Sequence, residues 1–510
     1  MYPGAHALLQ PNKSAIIDAD TGRVVTYREL DERSIRLANI FSAAGLRRGD
    51  HVAFLSDNAT EVFEIYWAAL RSGLYVTGIN HHLTPSDVSY IVNDCGARIL
   101  IVSAATETLA GAVIDTTPNI ELRMAFGGAV PGHLSYEEKL AGAATAPPAN
   151  QPRGADLLYS SGTTGRPKGV KPALPERQVG DPGDPYLAVF GPAYGFGFDT
   201  VYYSSAPTYH AAPLRFGGVV HAAGGTVVTA RKFDAETALA TIEQYAVTHA
   251  QFVPTMFVRM LKRAESTRRQ YDQSSLRTAV HAAAPCPIDV KRHMIEWWGP
   301  ILHEYYSSTE GNGITLIDSP TWLHKPGSVG QAGLGTLHIC AEDGQELAPG
   351  NIGRVFFERD GIAFTYHNSP DKTKSAQHPS HETWSTTGDL GYIDADGFLY
   401  LTDRQAFVII SGGVNIYPQE IENCLALHPK VFDVAVIGVP DEEMGEQVKA
   451  VVQAAPGVEA DDALARELIA YTHEYIARFK APKSVDFTDA LPRSATGKLV
   501  KGTLTQQYLK

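Results

Sequence analysis

Residues 159–170 read YSSGTTGRPKGV and continue from a stretch, 155–159, that has strand character. Serine, threonine and glycine stand side by side ahead of a proline and a lysine. Glycines let backbone N–H groups approach an anion closely, the hydroxyls add donors, and Lys168 supplies one mobile positive charge. The segment therefore has the make-up of a phosphate-holding loop. It is not a Walker A loop, because the lysine follows Gly165-Arg166-Pro167 and precedes Gly169 instead of standing between glycine and a hydroxyl residue. That order disfavours a P-loop ATPase. A flexible glycine loop with incidental hydroxyls is the plain alternative, and the coincidence of all these residue types after a strand weighs against it.

Outward from this loop the chain alternates helix and strand patterns. Thr26 and Glu29 have capping-box spacing, and Tyr27, Leu30, Leu37 and Phe41 recur at helical intervals until Gly45. Apolar strands are expected at 52–55, 74–79 and 98–102, with a helix at 61–70. Residues 140–155 are loop-like and divide two subdomains, after which strands are expected at 155–159, 227–230, 278–281 and 301–305. Helices fall near 234–246, 254–264 and 287–298. This rhythm implies parallel sheets covered by helices. Residues 335–402 read as mostly β, and an α+β unit of about 100 residues closes the chain. It holds helices near 418–427 and 461–477 and strands near 431–438 and 447–453.

The bulk properties bound the function. A chain of 510 residues, 44% hydrophobic and 19% charged, can bury a large core without disulfides or structural metals. Its net charge of −13 gives no electrostatic footprint for nucleic acid or an anionic membrane, so any polyanion must be held by loops and a few placed cations. The four cysteines, Cys95, Cys286, Cys340 and Cys424, are far apart and suit a reducing compartment. The first residues lack a secretory pattern, the last match no targeting tag, and the most apolar window, 211–230, contains Arg215, His221 and glycines. A cytoplasmic protein without an integral membrane segment is expected; homo-oligomerisation is left open.

The 159–170 loop resembles the signature loop of the ANL superfamily of adenylate-forming enzymes, and four further motifs follow in that family's order. They are YYSSTEG at 305–311, with Ser307 in place of the usual glycine, TTGDLGYID at 386–394, Asp403-Arg404 with SGGVNIYPQEIE at 411–422, and PRSATGK at 492–498. The resemblance implies a large N-terminal domain, 1–403, of parallel-sheet α/β subdomains plus a β-rich subdomain, and a small mobile α+β C-terminal domain, 404–510. It implies the substrates ATP, CoA and a carboxylic acid, with Mg²⁺. Ser160, Ser161, Gly162, Thr163, Thr164, Gly165 and Lys168 would hold phosphates. Tyr306 would lie against adenine, with Ala283, Ala284 and Pro285 on its other side and Ser307 and Ser308 beside it. Glu310 would hold Mg²⁺, Thr309 would donate to the α-phosphate or the acyl carboxylate, Asp389 would take the ribose hydroxyls, and Arg404 would meet the nucleotide from the domain boundary. Lys498 would bridge acyl carboxylate and α-phosphate. His210, in APTYHAAP at 206–213, would gate the acyl pocket, with a satisfied core histidine nearly as good a reading. Gly412 and Gly413 would form part of a pantetheine tunnel after the small domain rotates.

These residue types fit the chemistry. A carboxylate brought against an anionic α-phosphate, and a transition state with excess negative charge, both need placed donors and cations. Departures from the family pattern are Gln405-Ala406-Phe407 after Arg404, where relatives continue with polar hinge residues, and Arg354, where many carry an acid. The expected activity is an ATP-dependent acyl-CoA ligase. Gly217 and Gly218, in the acyl-pocket region, point to a sizeable apolar acid, most like those of fatty-acyl, bile-acid or steroid-side-chain ligases. The alternatives are an acyl-AMP ligase that loads a separate carrier protein, and a nucleotide- or acyl-binding relative that no longer catalyses.

Overall fold

The computed structural model describes residues 2–160, 167–404, 407–493 and 499–508. Thr26 caps the helix Tyr27–Ala43 as its spacing predicts. Its hydroxyl accepts from the Glu29 amide at 3.2 Å, and the Glu29 carboxylate accepts from the Thr26 amide at 2.7 Å. The box satisfies donors that a helix start otherwise leaves bare.

Two large sheets form the N-terminal part. One has the order Leu134–Ser135, Leu122–Phe126, Ala97–Ser103, His51–Leu55, Tyr75–Ile79, Ala155–Asp156, and every pairing in it is parallel. His51–Leu55 and Tyr75–Ile79 are buried along their whole length, which is why they read as unbroken apolar runs. The other sheet has a parallel centre of Leu302–Tyr306, Thr278–His281, His249–Phe252, Val201–Ser204, Thr226–Thr229 and Ser14–Asp18. Ile314–Asp318, Gln331–Leu334 and Val24–Thr26 extend it antiparallel at its edges. A β-rich sheet follows, built on Thr336–Cys340, Gly353–Glu358, Asp389–Ile393 and Leu399–Arg404. The separate C-terminal domain is α+β. Its long hairpin Val431–Asp441 and Gly445–Ala454 is covered by the helices Pro418–Ala426, Asp462–Tyr475 and Lys501–Tyr508.

Three local features differ from the sequence reading. The strand expected at 155–159 is two short strands, Ala155–Asp156 in the first large sheet and Leu158–Ser160 in a small antiparallel one. Leu158–Ser160 pairs with Lys168–Lys171, a strand not expected from the sequence, so the phosphate-type loop is flanked by the two strands of a hairpin. Helices Pro185–Tyr194 and Ala211–Ala223 carry no clear amphipathic signal, the first because it contains Gly191 and Pro192, the second because it is enclosed on most sides.

The helix Ala211–Ala223 joins the two large sheets into one core by packing on the helix Glu61–Leu70. Gly217 and Gly218 make this approach possible. A Cβ on Gly217 would stand 2.4 Å from the Phe63 ring, and one on Gly218 would stand 2.8 Å from the Tyr66 ring. These glycines therefore face the helix contact, and their smallness opens no space in an acyl pocket. Next to them, His221 is held as a neutral imidazole by both neighbours: Trp67 Nε1 donates to Nδ1 at 3.2 Å, and Nε2 donates to Ala15 O at 3.1 Å. Burial, partly opposed by the Ala15 bond, pushes its pKa down to about 3.

Two measurements check this core. Gly217→Ala lowers the denaturant midpoint by an amount equivalent to about 1–3 kcal/mol, because the Phe63 ring must move. Gly111→Ala, in a helix where a Cβ meets nothing within 4 Å, leaves stability unchanged or raises it by up to about 1 kcal/mol. Equal effects at both positions would remove the packing role of Gly217. For His221, the unfolded chain binds a proton below about pH 6.5 and the folded chain does not until about pH 3. Its stability contribution is thus complete above pH 6.5 and is lost as pH falls, at up to about 1.4 kcal/mol per unit. Unfolding curves at pH 7, 6 and 5 show this slope, and His221→Gln flattens it; an unchanged slope would reassign the acid sensitivity to other groups.

Candidate active site

The carboxyl ends of the parallel strands converge on one cavity of about 1480 Å³, the usual place for a ligand in such sheets. Strand Val201–Ser204 leads to Ala206, Tyr209 and His210. Thr278–His281 leads to the turn 282–285, and Leu302–Tyr306 leads to Ser307, Ser308, Thr309 and Glu310. Of the residues singled out from the sequence, Ser160, Lys168, His210, Ala283, Ala284, Pro285, Tyr306, Ser307, Ser308, Thr309, Glu310 and Asp389 all line this cavity.

The Ser307–Gly313 loop is braced from several directions. Ser307 Oγ donates to Gly313 O at 2.8 Å, and Ser308 Oγ to Asn312 Oδ1 at 3.0 Å. Arg359 Nη1 donates to Gly311 O at 3.1 Å. The Tyr366 hydroxyl donates to Glu310 Oε1 at 2.8 Å, while the Lys168 ammonium lies 5.2 Å from the Tyr366 ring centre. Tyr366 reaches this position because Thr365–Tyr366 pairs with the Lys168–Lys171 strand. One aromatic side chain therefore links the phosphate hairpin to the acidic turn. Glu310 stands in a turn.

Asp389 is buried and accepts at Oδ2 from the Tyr306 hydroxyl at 2.7 Å and from Thr387 Oγ1 at 2.8 Å. Ala283 has φ of +75°, a left-handed conformation that costs a non-glycine residue on the order of 1 kcal/mol. The strain sits on a backbone turn exposed to the cavity. His210 is at the N-cap position of the helix Ala211–Ala223, and Ala211, Ala212 and Pro213 line the cavity as well. The positive end of the helix dipole is turned toward the space where an anion would sit.

Sequence reasoning missed several cavity residues. Arg215 forks onto Asp156, with Nε–Oδ2 of 2.9 Å and Nη2–Oδ1 of 2.7 Å, and donates from Nη1 to Thr309 O at 3.2 Å. Burial opposes its charge, but Asp156 outweighs burial and its pKa moves upward. Tyr186, Phe190, Phe216 and Tyr305 supply an aromatic wall, with Phe190–Phe216 ring centres 4.7 Å apart and Phe190–Tyr305 centres 5.3 Å apart. From the C-terminal domain come Arg493, forked on Asp433 at 2.5 Å by both Nε and Nη2, and Lys501, paired with Glu422 at 2.9 Å. Burial raises the Glu422 carboxyl, with Lys501 opposing. A lone charge in an apolar or loop segment gives no sign of a partner dozens of residues away.

Other expected residues fall elsewhere. Gly412 and Gly413 form the turn between Ile409–Ser411 and Val414–Ile416, with φ of +56° and +78°, and do not line the cavity. The Arg404 backbone pairs with that of Asp389. Ser161, Gly162, Thr163, Thr164, Gly165 and Lys498 lie outside the described residues, as do Gln405 and Ala406 of the altered hinge. Arg493 and Leu499, which flank the 494–498 segment, pair as an isolated bridge and both line the cavity. Among the described residues no helix is long and apolar enough to cross a membrane, and the four cysteines are free.

Comparison with known proteins matches this geometry. A family model described as AMP-binding enzyme covers residues 5–367, and one for the AMP-binding enzyme C-terminal domain covers residues 420–498. A fatty acid–[acyl-carrier-protein] ligase, ScoC of Streptomyces coeruleorubidus, is 31% identical over 99% of this chain and 95% of its own. A feruloyl-CoA synthase of Amycolatopsis sp. is 32% identical over 99% and 98%. Among solved structures, ATP-bound MatB from Rhodopseudomonas palustris superposes with a TM-score of 0.81 at 30% identity, covering 100% of this chain and 99% of that one. With both domain types matched in order, the chain belongs to the AMP-binding enzyme family of the ANL superfamily.

Proposed function

We propose that this chain is an ATP-dependent acid–CoA ligase, with 1–403 as the adenylating domain and 404–510 as the mobile one. In the first half-reaction an oxygen of the carboxylate attacks the α-phosphorus of ATP, and the bond to the bridging oxygen of pyrophosphate breaks. The products are acyl-AMP and pyrophosphate. In the second, the CoA thiol loses its proton and its sulfur attacks the acyl carbonyl, and AMP leaves. The observation that carries this reading is that one cavity gathers the phosphate-hairpin residues Ser160 and Lys168, the Thr309-Glu310 turn and the Tyr306–Asp389 pair. The C-terminal residues Arg493 and Leu499 flank the Lys498 segment beside them.

Each residue has a physical task. Lys168 and the helix end behind His210 offset the charge of the phosphates. Asp389 keeps Oδ2 occupied by Tyr306 and Thr387, which fixes its carboxylate for the ribose hydroxyls and sets the Tyr306 ring beside adenine. Glu310 suits Mg²⁺. Its described partner is the Tyr366 hydroxyl, on one carboxylate oxygen, and Mg²⁺ is commonly held by one or two carboxylates together with substrate phosphates. Bound there, the ion would neutralise charge on the phosphates. Lys498 would bridge the acyl carboxylate and the α-phosphate, and Gly412-Gly413 would meet pantetheine after the domain turns.

For the acid, the aromatic wall supports an apolar acyl group packed against Tyr186, Phe190, Phe216 and Tyr305. A second reading, transfer of the acyl group to a carrier protein in place of CoA, is favoured by the likeness to ScoC, itself a carrier-protein ligase.

Mass spectrometry after incubation with MgATP, CoA and pooled carboxylic acids, from acetate to bile acids, is expected to show an acyl-CoA product. Acyl-AMP with no thioester would overturn the CoA reading in favour of a carrier protein. Lys498→Ala should lower pyrophosphate-releasing adenylation on the order of 10²-fold, the loss expected for one transition-state donor. It should leave thioester formation from supplied acyl-AMP within a few fold. Both half-reactions at the wild-type rate would remove Lys498 from the mechanism.

A further inference from the structure

Arg215 is held far more tightly than its surroundings explain. Every nitrogen of its guanidinium has a described partner: Nε and Nη2 on Asp156, and Nη1 on the carbonyl of Thr309. The plane also lies 5.1 Å from the Tyr186 ring centre. The side chains of Arg215 and Asp156 are only 11% and 7% exposed, so the pair sits where removing charge from water is costly. An apolar pair of similar volume would hold the fold as well or better. The ion pair therefore calls for a reason other than stability.

The positions of its partners supply one. Asp156 ends the short strand Ala155–Asp156, one residue before the strand Leu158–Ser160 that feeds the phosphate hairpin. Thr309 begins the turn that carries Glu310. We infer that Arg215 is a positioning residue that sets the Thr309-Glu310 turn at a fixed distance from the phosphate hairpin, an inference that rests on the ligase reading above. Arginine suits the task because its planar fork takes a carboxylate with two nitrogens and leaves the third aimed at a carbonyl; lysine has a single point of attachment. The turn keeps its other braces, Arg359 on Gly311 O, Tyr366 on Glu310 and Ser307 on Gly313 O, when Arg215 is changed. Loss of Arg215 thus shifts Thr309 and Glu310 without unfolding the loop, and a misplacement of about 1 Å at a reacting centre lowers rate on the order of 10²-fold.

Two variants test this. Arg215→Lys keeps the charge and loses the fork, and the double variant Arg215→Met with Asp156→Leu removes the pair without stranding a buried charge. In both, adenylation should fall 10- to 100-fold in kcat, with KM for the acid within a few fold and a raised Mg²⁺ concentration for half-maximal rate. Thioester formation from supplied acyl-AMP should stay within about twofold, and the double variant should unfold at or above the wild-type denaturant midpoint. Equal losses in both half-reactions, tracking the amount of folded protein, would overturn the inference, as would wild-type adenylation in both variants. MgATP affinity by calorimetry separates this inference from the ligase reading. If the wild type makes no acyl-AMP yet binds MgATP, and Arg215→Lys weakens that binding about tenfold, the ligase reading falls and the positioning role stands. If the wild type neither adenylates nor binds MgATP, both fall.

Discussion

The governing constraint is charge. A chain of net charge −13 must bring a triphosphate and a carboxylate into contact, and like charges in a partly enclosed cavity repel strongly. A diffuse positive surface would not serve a chain this acidic. The cavity instead holds cations that are already partnered: Arg215 on Asp156, Arg493 on Asp433, Lys501 on Glu422, and Lys168 against the Tyr366 ring. Partnering fixes the direction of each cation before any ligand arrives, so less ordering remains to be done on binding. The neutral devices, a helix amino end and hydroxyl donors, add attraction without adding charge that would otherwise have to be buried.

The helix Ala211–Ala223 shows how the fold serves that constraint. Gly217, Gly218 and His221 face the helix Glu61–Leu70, while Ala212, Arg215 and Phe216 face the cavity. The glycines allow a close approach that carries the helix deep between the two large sheets. The depth places Arg215 within reach of both Asp156 and Thr309. Packing on one side of this helix is therefore a condition of the geometry on the other.

Much of this was legible in the sequence, for identifiable reasons. The capping box at Thr26 and Glu29 is a local device, complete within four residues. Strands buried on both faces announce themselves as apolar runs, as in residues 98–102. The cavity residues from Ser160 to Asp389 sit in short motifs whose order survives in the chain. What stayed hidden depends on contacts remote in sequence. Gly217 and Gly218 look the same whether they widen a pocket or admit a neighbouring helix, and only the Phe63 and Tyr66 rings decide between the two. Arg215 reads as a stray charge until Asp156, 59 residues away, is seen beside it. The break at Leu157 is invisible in the five residues 155–159, because the sheets that claim its two sides are assembled from elsewhere.

On the proposed reading the C-terminal domain carries the last step. Arg493, Leu499 and Lys501 face the cavity, whereas the Gly412-Gly413 turn of the same domain lies off it, beside Met444. On the proposed reading both regions must serve the same acyl carboxyl group, one while its oxygen attacks the α-phosphorus and one while its carbonyl carbon takes the thiol. A rigid domain offers two faces to one point only by turning. The contacts across the boundary suit such a turn: the exposed Lys262 donates to Val431 O at 2.8 Å and lies 5.7 Å from the Phe432 ring centre. Water can replace a part-buried bond to a surface lysine at modest net cost, while the apolar interior of the C-terminal domain would stay intact through such a turn. The first face also holds Arg493 and Lys501 against its own acids, Asp433 and Glu422, so the domain would take these two charge pairs with it.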